Sequence, residues 1–437
     1  MMTRLMLSLV LLVLGAASAF ATQVERVTSP GGIEAWLVRE DAIPLVSMNI
    51  AFEGGARLDP AGREELATVS AAMLNEGAGP YDAGAFKREL EAKAIRFGAS
   101  ADLDTIYVSV AMLAEHRARA FELLGLALNA PRFDKAPFER LRAQMQAVLK
   151  QESEDPDTLA ARAWYSRVFP GHPYGRSENG SPQSIASLKP AEAKSFLGAR
   201  MTRDRLKIAV VGDITAEELA PLLDTLFGKL PATGPAETVA APAFSDLGKT
   251  QIIEIDNPQS RVIFGGEGLA RKDPDYMAAV VMNYILGGGG FSSRLMDEVR
   301  EKRGLAYGVS TDVSPLRHVG LFMGSVGTDN AKVAEALALI KSEIERLRKD
   351  GPTDEELANA KTYLTGSFAL RLDSNAKIAN FLLACQLYDL GIDYIDRRNA
   401  EIEAVTREDV VRVAERLLHA DRLAYVVVGK PQGLVAN

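Results

Sequence analysis

Two periodicities alternate along the chain. VSMNIAFEGG (46–55) places apolar Val46, Met48, Ile50 and Phe52 at every second position, the pattern of a strand with one face on a core. IEAWLVRE (33–40) reads as a strand before it, and IRFGASADLDTIYVSVAML (95–113) as a strand pair with polar turn residues between its arms. REELATVSAAMLNEGAG (63–79) reads as a helix closed by glycines, with Asp59-Pro60 supplying the cap and first turn. HRARAFELLGLAL (116–128) and FERLRAQMQAVLKQESE (138–154) are further helices, and LKIAVVGD (206–213) is the continuous apolar run of a buried strand.

KLPATGPAETVAAPAF (229–244) then shows neither period and reads as a linker. Beyond it the order repeats. TQIIEID and RVIFGGEG are strands, DPDYMAAVVMNYILGGGG a glycine-stopped helix, and AYGVSTDVSP with VGLFMGSVGTD a hairpin. Helices follow in AKVAEALALIKSEIERLRK, TDEELANAKTYLTGSFAL and SNAKIANFLLACQLY, and LAYVVVGKP closes the half. Literal echoes accompany the repeated order: Ala-Arg-Leu-Asp-Pro at 56–60 against Ala-Arg-Lys-Asp-Pro at 270–274, and Val-Val-Gly at 210–212 against 427–429. The fold class expected is α+β: two duplicated domains, 22–230 and 249–437, each a largely antiparallel sheet covered by helices, joined by a linker at 231–248.

Length agrees with this, since 437 residues exceed one ordinary domain, and 47% hydrophobic with 25% charged residues suits soluble cores. A net charge of −8 argues against nucleic acid as a partner, which needs a basic face. Residues 1–21 carry Arg4, an apolar run from Leu5 to Leu14 and small residues ending Ala-Ser-Ala-Phe-Ala, the signature of a secretory signal cleaved after Ala19 or Ala21. No membrane span is expected after cleavage. Cys385, the lone cysteine, has no intramolecular partner and reads as a small core residue.

Candidate chemistry is sparse. The four histidines, His116, His172, His318 and His419, lie far apart, and none has a second histidine at i+4 to make a zinc-binding helix face. Ser70 lacks the glycine elbow that exposes a nucleophile, and Cys385 has no nearby base. Gly287–Gly290 lacks the Lys-Ser/Thr of a phosphate loop and follows a helix rather than a strand. Arg300 and Tyr307, brought together at a helix end stopped by Gly304, would suit a peptide carbonyl or an oxyanion. On spacing alone, Arg300 in DEVREKR equally reads as a solvated helix face and Tyr307 as a strand aromatic.

GGARLDPAGREELATVSAAMLNEGAG, GHPYGR, LKIAVVGDIT, LGGGGFSSRLMDEVREKRGLAYGV and VTREDVVRVAERLL with VVVGKP together resemble the insulinase/pitrilysin family of zinc metallopeptidases, the inverzincins. The likeness is to its short two-domain members, among them the mitochondrial processing peptidase subunits. In catalytic members the first-domain helix carries His-x-x-Glu-His, whose histidines bind zinc and whose glutamate activates water. The matching positions here are Thr68, Ala71 and Ala72, a degenerate zinc motif. The family's third ligand, a glutamate on a later helix, falls at Ala143 or Gln144, with Glu139 a turn away. Arg300 and Tyr307 match the family's substrate-binding pair in the second domain. The resemblance therefore implies a non-catalytic, substrate-binding subunit of a heterodimeric zinc peptidase. It would have no cofactor on this chain, zinc on a homologous partner, peptide substrates and a periplasmic location. A stand-alone peptide-binding or scaffolding homodimer is the alternative, and scattered histidines disfavour a self-sufficient peptidase.

Overall fold

A computed structural model of the protein describes residues 23–177, 179–237 and 239–437, so the expected signal segment, 1–21, lies outside the described residues. Among the described residues, eleven strands of four or more residues form two sheets. In the first half they are β1 (Val24–Thr28), β2 (Glu34–Arg39), β3 (Leu45–Glu53), β4 (Arg96–Ala101), β5 (Thr105–Leu113) and β6 (Leu206–Gly212), arranged β1-β2-β6-β3-β5-β4. In the second they are β7 (Thr250–Ile253), β8 (Gln259–Glu267), β9 (Ala306–Pro315), β10 (Gly320–Asp329) and β11 (Ala424–Val428), arranged β9-β10-β8-β11-β7. Without β1 the two orders are the same. In each sheet one pair is parallel, β2 with β6 and β7 with β11, and the others are antiparallel. The α+β duplication expected from the sequence is thus the architecture observed.

Alternation in β3 does what its pattern requires: Val46, Met48, Ile50 and Phe52 are fully buried in the core of the first half. The intervening Ser47, Asn49 and Ala51 are buried as well, because a helix from the other half lies across them. That helix is α5 (Asn375–Leu387), which brings Ala379, Leu382, Leu383 and Cys385 onto Trp36, Val38, Ala51, Ala209 and Val211. The exchange is reciprocal. Helix α3 (Pro156–Val168) of the first half lays Ala160, Trp164 and Val168 onto Ala424, Val426 and Val428 of the second sheet. Each crossing helix also bonds the strand it covers: Trp164 Nε1–H donates to the Ala424 carbonyl at 3.2 Å, and Gln386 Nε2–H to the Ile208 carbonyl at 2.8 Å. Neither half closes its own outer face.

Residues 229–249 contain no helix or strand among those described, but they are strapped down. Glu237 lies against Arg57, whose side chain is wholly buried, at 2.6 Å, and against Arg205 at 3.2 Å. His172 Nε2 bonds the Ala240 carbonyl at 2.9 Å. Removing Glu237 leaves Arg57 with Asp104 alone at 2.7 Å. Glu237→Ala is expected to lower unfolding free energy by about 2–3 kcal/mol, because a buried guanidinium loses a charged acceptor. Denaturant titration checks this, and a loss below about 0.5 kcal/mol would show that the strap is energetically idle.

The helix expected from Pro60 begins later, as α1 (Leu66–Ala72). Gly62 and Glu65 take left-handed φ of +74° and +78°, which a helix cannot accommodate, so the chain turns before it winds. Asp59 still caps it, but across that turn: its Oδ1 accepts from Ala67 N–H at 2.9 Å. Burial pushes this carboxyl up to about 8. Its folded value therefore stands above the unfolded one of roughly 3.9. The stabilising share is complete below about pH 4 and is lost as pH rises through about 8. The melting temperature of the wild type is expected to fall across that window, and Asp59→Asn to flatten the fall. Parallel profiles for the two proteins would refute the assignment.

Candidate functional site

Helix α4 (Tyr276–Asn283) runs on through a π-helical turn, Tyr284–Gly288, into the glycine run. These glycines serve packing: a Cβ on Gly287 would meet Thr311 Oγ1 at 2.5 Å and Thr311 N at 2.8 Å, so only glycine lets the turn lie on β9. The following loop is fixed by Arg294, nearly buried, whose Nε and Nη2 each bond Glu356 at 2.6 Å. A second π-helical turn, Met296–Glu301, then carries Arg300. Gly304, at φ +58°, ends it and donates its N–H to the Arg300 carbonyl at 2.8 Å.

Beyond Gly304 the chain enters β9, whose register against β10 slips between Ala306 and Gly308. Tyr307 is the residue at that bulge. Its ring is turned out of the sheet and is 84% exposed. The Arg300 guanidinium lies 5.7 Å from the Tyr307 ring centre and 4.7 Å from that of Phe291, itself 67% exposed. Arg300 and Tyr307 are therefore brought together, with Phe291 as a third member that spacing alone did not single out. Its signal was its place directly after the glycine run. Neighbouring cations are neutralised locally: Lys302 and Arg303 both bond Glu298 and pull its carboxyl down to about 2. Among the described residues, Arg300 has only Glu301 as an acidic partner, at 3.7 Å. A guanidinium oriented by two rings, with its acid no nearer than 3.7 Å, is a preorganised donor for carbonyl or carboxylate oxygen.

In the first half, Thr68, Ala71 and Ala72 sit on α1, with Ala71 fully buried and the other two half-buried. Helix α2 (Lys135–Glu152) packs beside α1. Ala143 and Gln144 on it are exposed, and Glu139 is bonded to Arg142. The Ala72 carbonyl accepts from Asn75 Nδ2–H at 3.1 Å, and that amide also reaches Ala99 of β4 at 3.4 Å.

Residues 187–364 match the family described as "Peptidase M16 inactive domain". A protein from Helicobacter pylori named "Non-peptidase homolog YmxG" is 29% identical over 335 residues, 75% of this chain and 76% of that one. A protein from Streptomyces coelicolor named as an uncharacterized zinc protease is 30% identical over 271 residues, 61% of this chain and 59% of that protein. Among solved structures, the peptidase M16 inactive domain from Pseudomonas fluorescens superposes with a TM-score of 0.87 at 29% identity, covering 95% of this chain and 99% of that one. The chain is similar to M16 peptidase-family proteins over most of its length.

The matched family model and the Helicobacter pylori relative are both named for members without peptidase activity. Thr68, Ala71 and Ala72, the positions that the resemblance assigns to the zinc motif, do not fit a metal: one hydroxyl and two methyl groups offer no imidazole and no general base. Among the described residues, no three or more His, Cys, Asp or Glu side chains are placed to hold a metal ion. The histidines have other surroundings. His172 Nδ1 accepts from Tyr174 N–H at 3.1 Å, and His116 ends a short helical turn 3.8 Å from Glu115. Ser70 donates to the Leu66 carbonyl at 2.5 Å inside the core, and Cys385, on α5, is buried against the first sheet, where burial pushes its thiol up to about 12.

Proposed function

We propose that this chain is the substrate-binding, non-catalytic subunit of a heterodimeric zinc metallopeptidase that acts on peptides or unfolded segments in the periplasm. The observation that carries the reading is the guanidinium of Arg300 held between Phe291 and the bulge-turned Tyr307, in a chain whose zinc-motif positions hold Thr68, Ala71 and Ala72. The partner is a homologous chain bearing His-x-x-Glu-His, and its zinc supplies activated water when bound. Here, Arg300 and Tyr307 donate hydrogen bonds and positive charge to the peptide carbonyl as negative charge develops on its oxygen. Phe291 keeps the guanidinium flat and shields it from water.

The test uses tagged mature chain as bait in the native envelope fraction. Recovery of a chain carrying His-x-x-Glu-His, with chelator-sensitive peptide hydrolysis in the eluate, is the expected result. Recovery of this chain alone, without hydrolysis, would overturn the reading in favour of a peptide-binding or scaffolding homodimer.

A further inference from the structure

The duplicated halves differ at one arginine. In the first Ala-Arg-x-Asp-Pro segment, Arg57 is wholly buried and held by the carboxylates of Asp104 and Glu237. Arg271 occupies the same position of the second copy, yet among the described residues no carboxylate pairs with it. Aromatic groups hold it instead. Its guanidinium lies 4.3 Å from the Tyr276 ring centre and 5.1 Å from that of Tyr394, and its Nη2 bonds the Tyr394 hydroxyl at 2.5 Å. Arg271 lines a cavity of about 660 Å³ where the two halves meet, within the range of small-molecule sites.

Most charges on that cavity wall are already matched: Glu53 with Arg317 at 2.6 Å, and Lys272 with Asp389 at 2.9 Å. Asp102 is the exception of opposite sign. Its Oδ1 accepts from the backbone N–H groups of Asp104 and Thr105 at 2.8 and 2.7 Å, and its Oδ2 from the Tyr107 hydroxyl at 3.0 Å, but no cation among the described residues pairs with it. Tyr388, on the same wall, is within electrostatic reach of both Asp102 and Arg271. Leu383, Leu387 and Leu316 supply apolar lining between the polar groups. One guanidinium and one carboxyl group, neither with an oppositely charged partner among the described residues, face a single apolar-floored cavity.

We infer that this cavity binds a free amino acid or short peptide as its zwitterion, the terminal carboxylate on Arg271 and the terminal ammonium on Asp102. The site is separate from Arg300 and Tyr307, and it stands whether or not a zinc-bearing partner exists. Titration calorimetry on the full mature chain tests it with trialanine, N-acetyl-trialanine and trialanine amide. Wild type is expected to bind trialanine and to bind either blocked form about tenfold or more weakly, the loss of one charge-assisted contact. Arg271→Gln is expected to bind the acid and the amide equally. Asp102→Asn, on an open turn, is expected to bind the free and acetylated amines equally, and Arg300→Ala to bind all three peptides as wild type does. Absence of trialanine binding at about 10 mM would overturn the inference. So would equal affinity of wild type for blocked and unblocked peptides, or discrimination persisting in Arg271→Gln. Thermal melts establish that each variant is folded, and Arg271→Lys, which keeps the cation without the fork, replaces the glutamine variant if that one melts early.

Discussion

Trp164→Ala is expected to lower the free energy of unfolding by about 3–5 kcal/mol, the range for emptying a large aromatic site in a core. Trp164 belongs to the first half but is fully buried on the second sheet. A Cβ added at Gly265 would stand 3.1 Å from its ring, so that glycine makes room for the indole. Truncation removes edge-on contacts to Phe169 at 6.2 Å and Tyr165 at 5.1 Å, and deprives the Ala424 carbonyl of its indole donor. Because α3 and α5 are exchanged between the halves, wild type and variant are both expected to unfold in one cooperative transition. Guanidinium titration followed by tryptophan fluorescence and by circular dichroism measures both features. A change under about 1 kcal/mol, or two separated transitions in wild type, would show that the halves are stabilised independently.

In the proposed heterodimer, Arg300→Ala is expected to lower kcat by about a hundredfold, the scale of losing a preorganised charged donor. Tyr307→Phe, which keeps the ring beside Arg300 and removes only the hydroxyl, is expected to cost about tenfold. Phe291→Ala leaves both donors in place and frees the guanidinium on one face, so a smaller loss, shared between kcat and KM, is expected. Subunit association should be unchanged in all three, as measured by analytical ultracentrifugation. An effect on KM alone would assign the pair to uniform substrate binding. Turnover within about twofold of wild type for both Arg300→Ala and Tyr307→Phe would remove them from the reaction.

Much of this was written locally. The period of two in Val46, Met48, Ile50 and Phe52 records burial of one sheet face, and the glycines at 77 and 79, at φ +109° and +52°, stop the helical segment where the sequence reading stops it. The start of α1 was not legible, because Asp59-Pro60 has the chemistry of a cap and the left-handed Glu65 that delays the helix is set by its surroundings. Helix α3 escaped notice for a different reason. Its apolar residues serve a strand some 260 positions away, so no neighbouring element in the first half explains them. Likewise Phe291 became part of the candidate site only through a loop clamped by Arg294 and Glu356.

By itself, then, the sequence determined most of the elements and their duplication, since periodicity and literal repeats are properties of the chain read in order. Tertiary structure alone decided which half covers which sheet, that Tyr307 stands out on a bulge beside Arg300, and that Arg57 and Arg271, alike in sequence, differ in their counterions. Packing, bulge geometry and charge pairing join residues far apart along the chain, and a local pattern carries no record of the partner that each will meet.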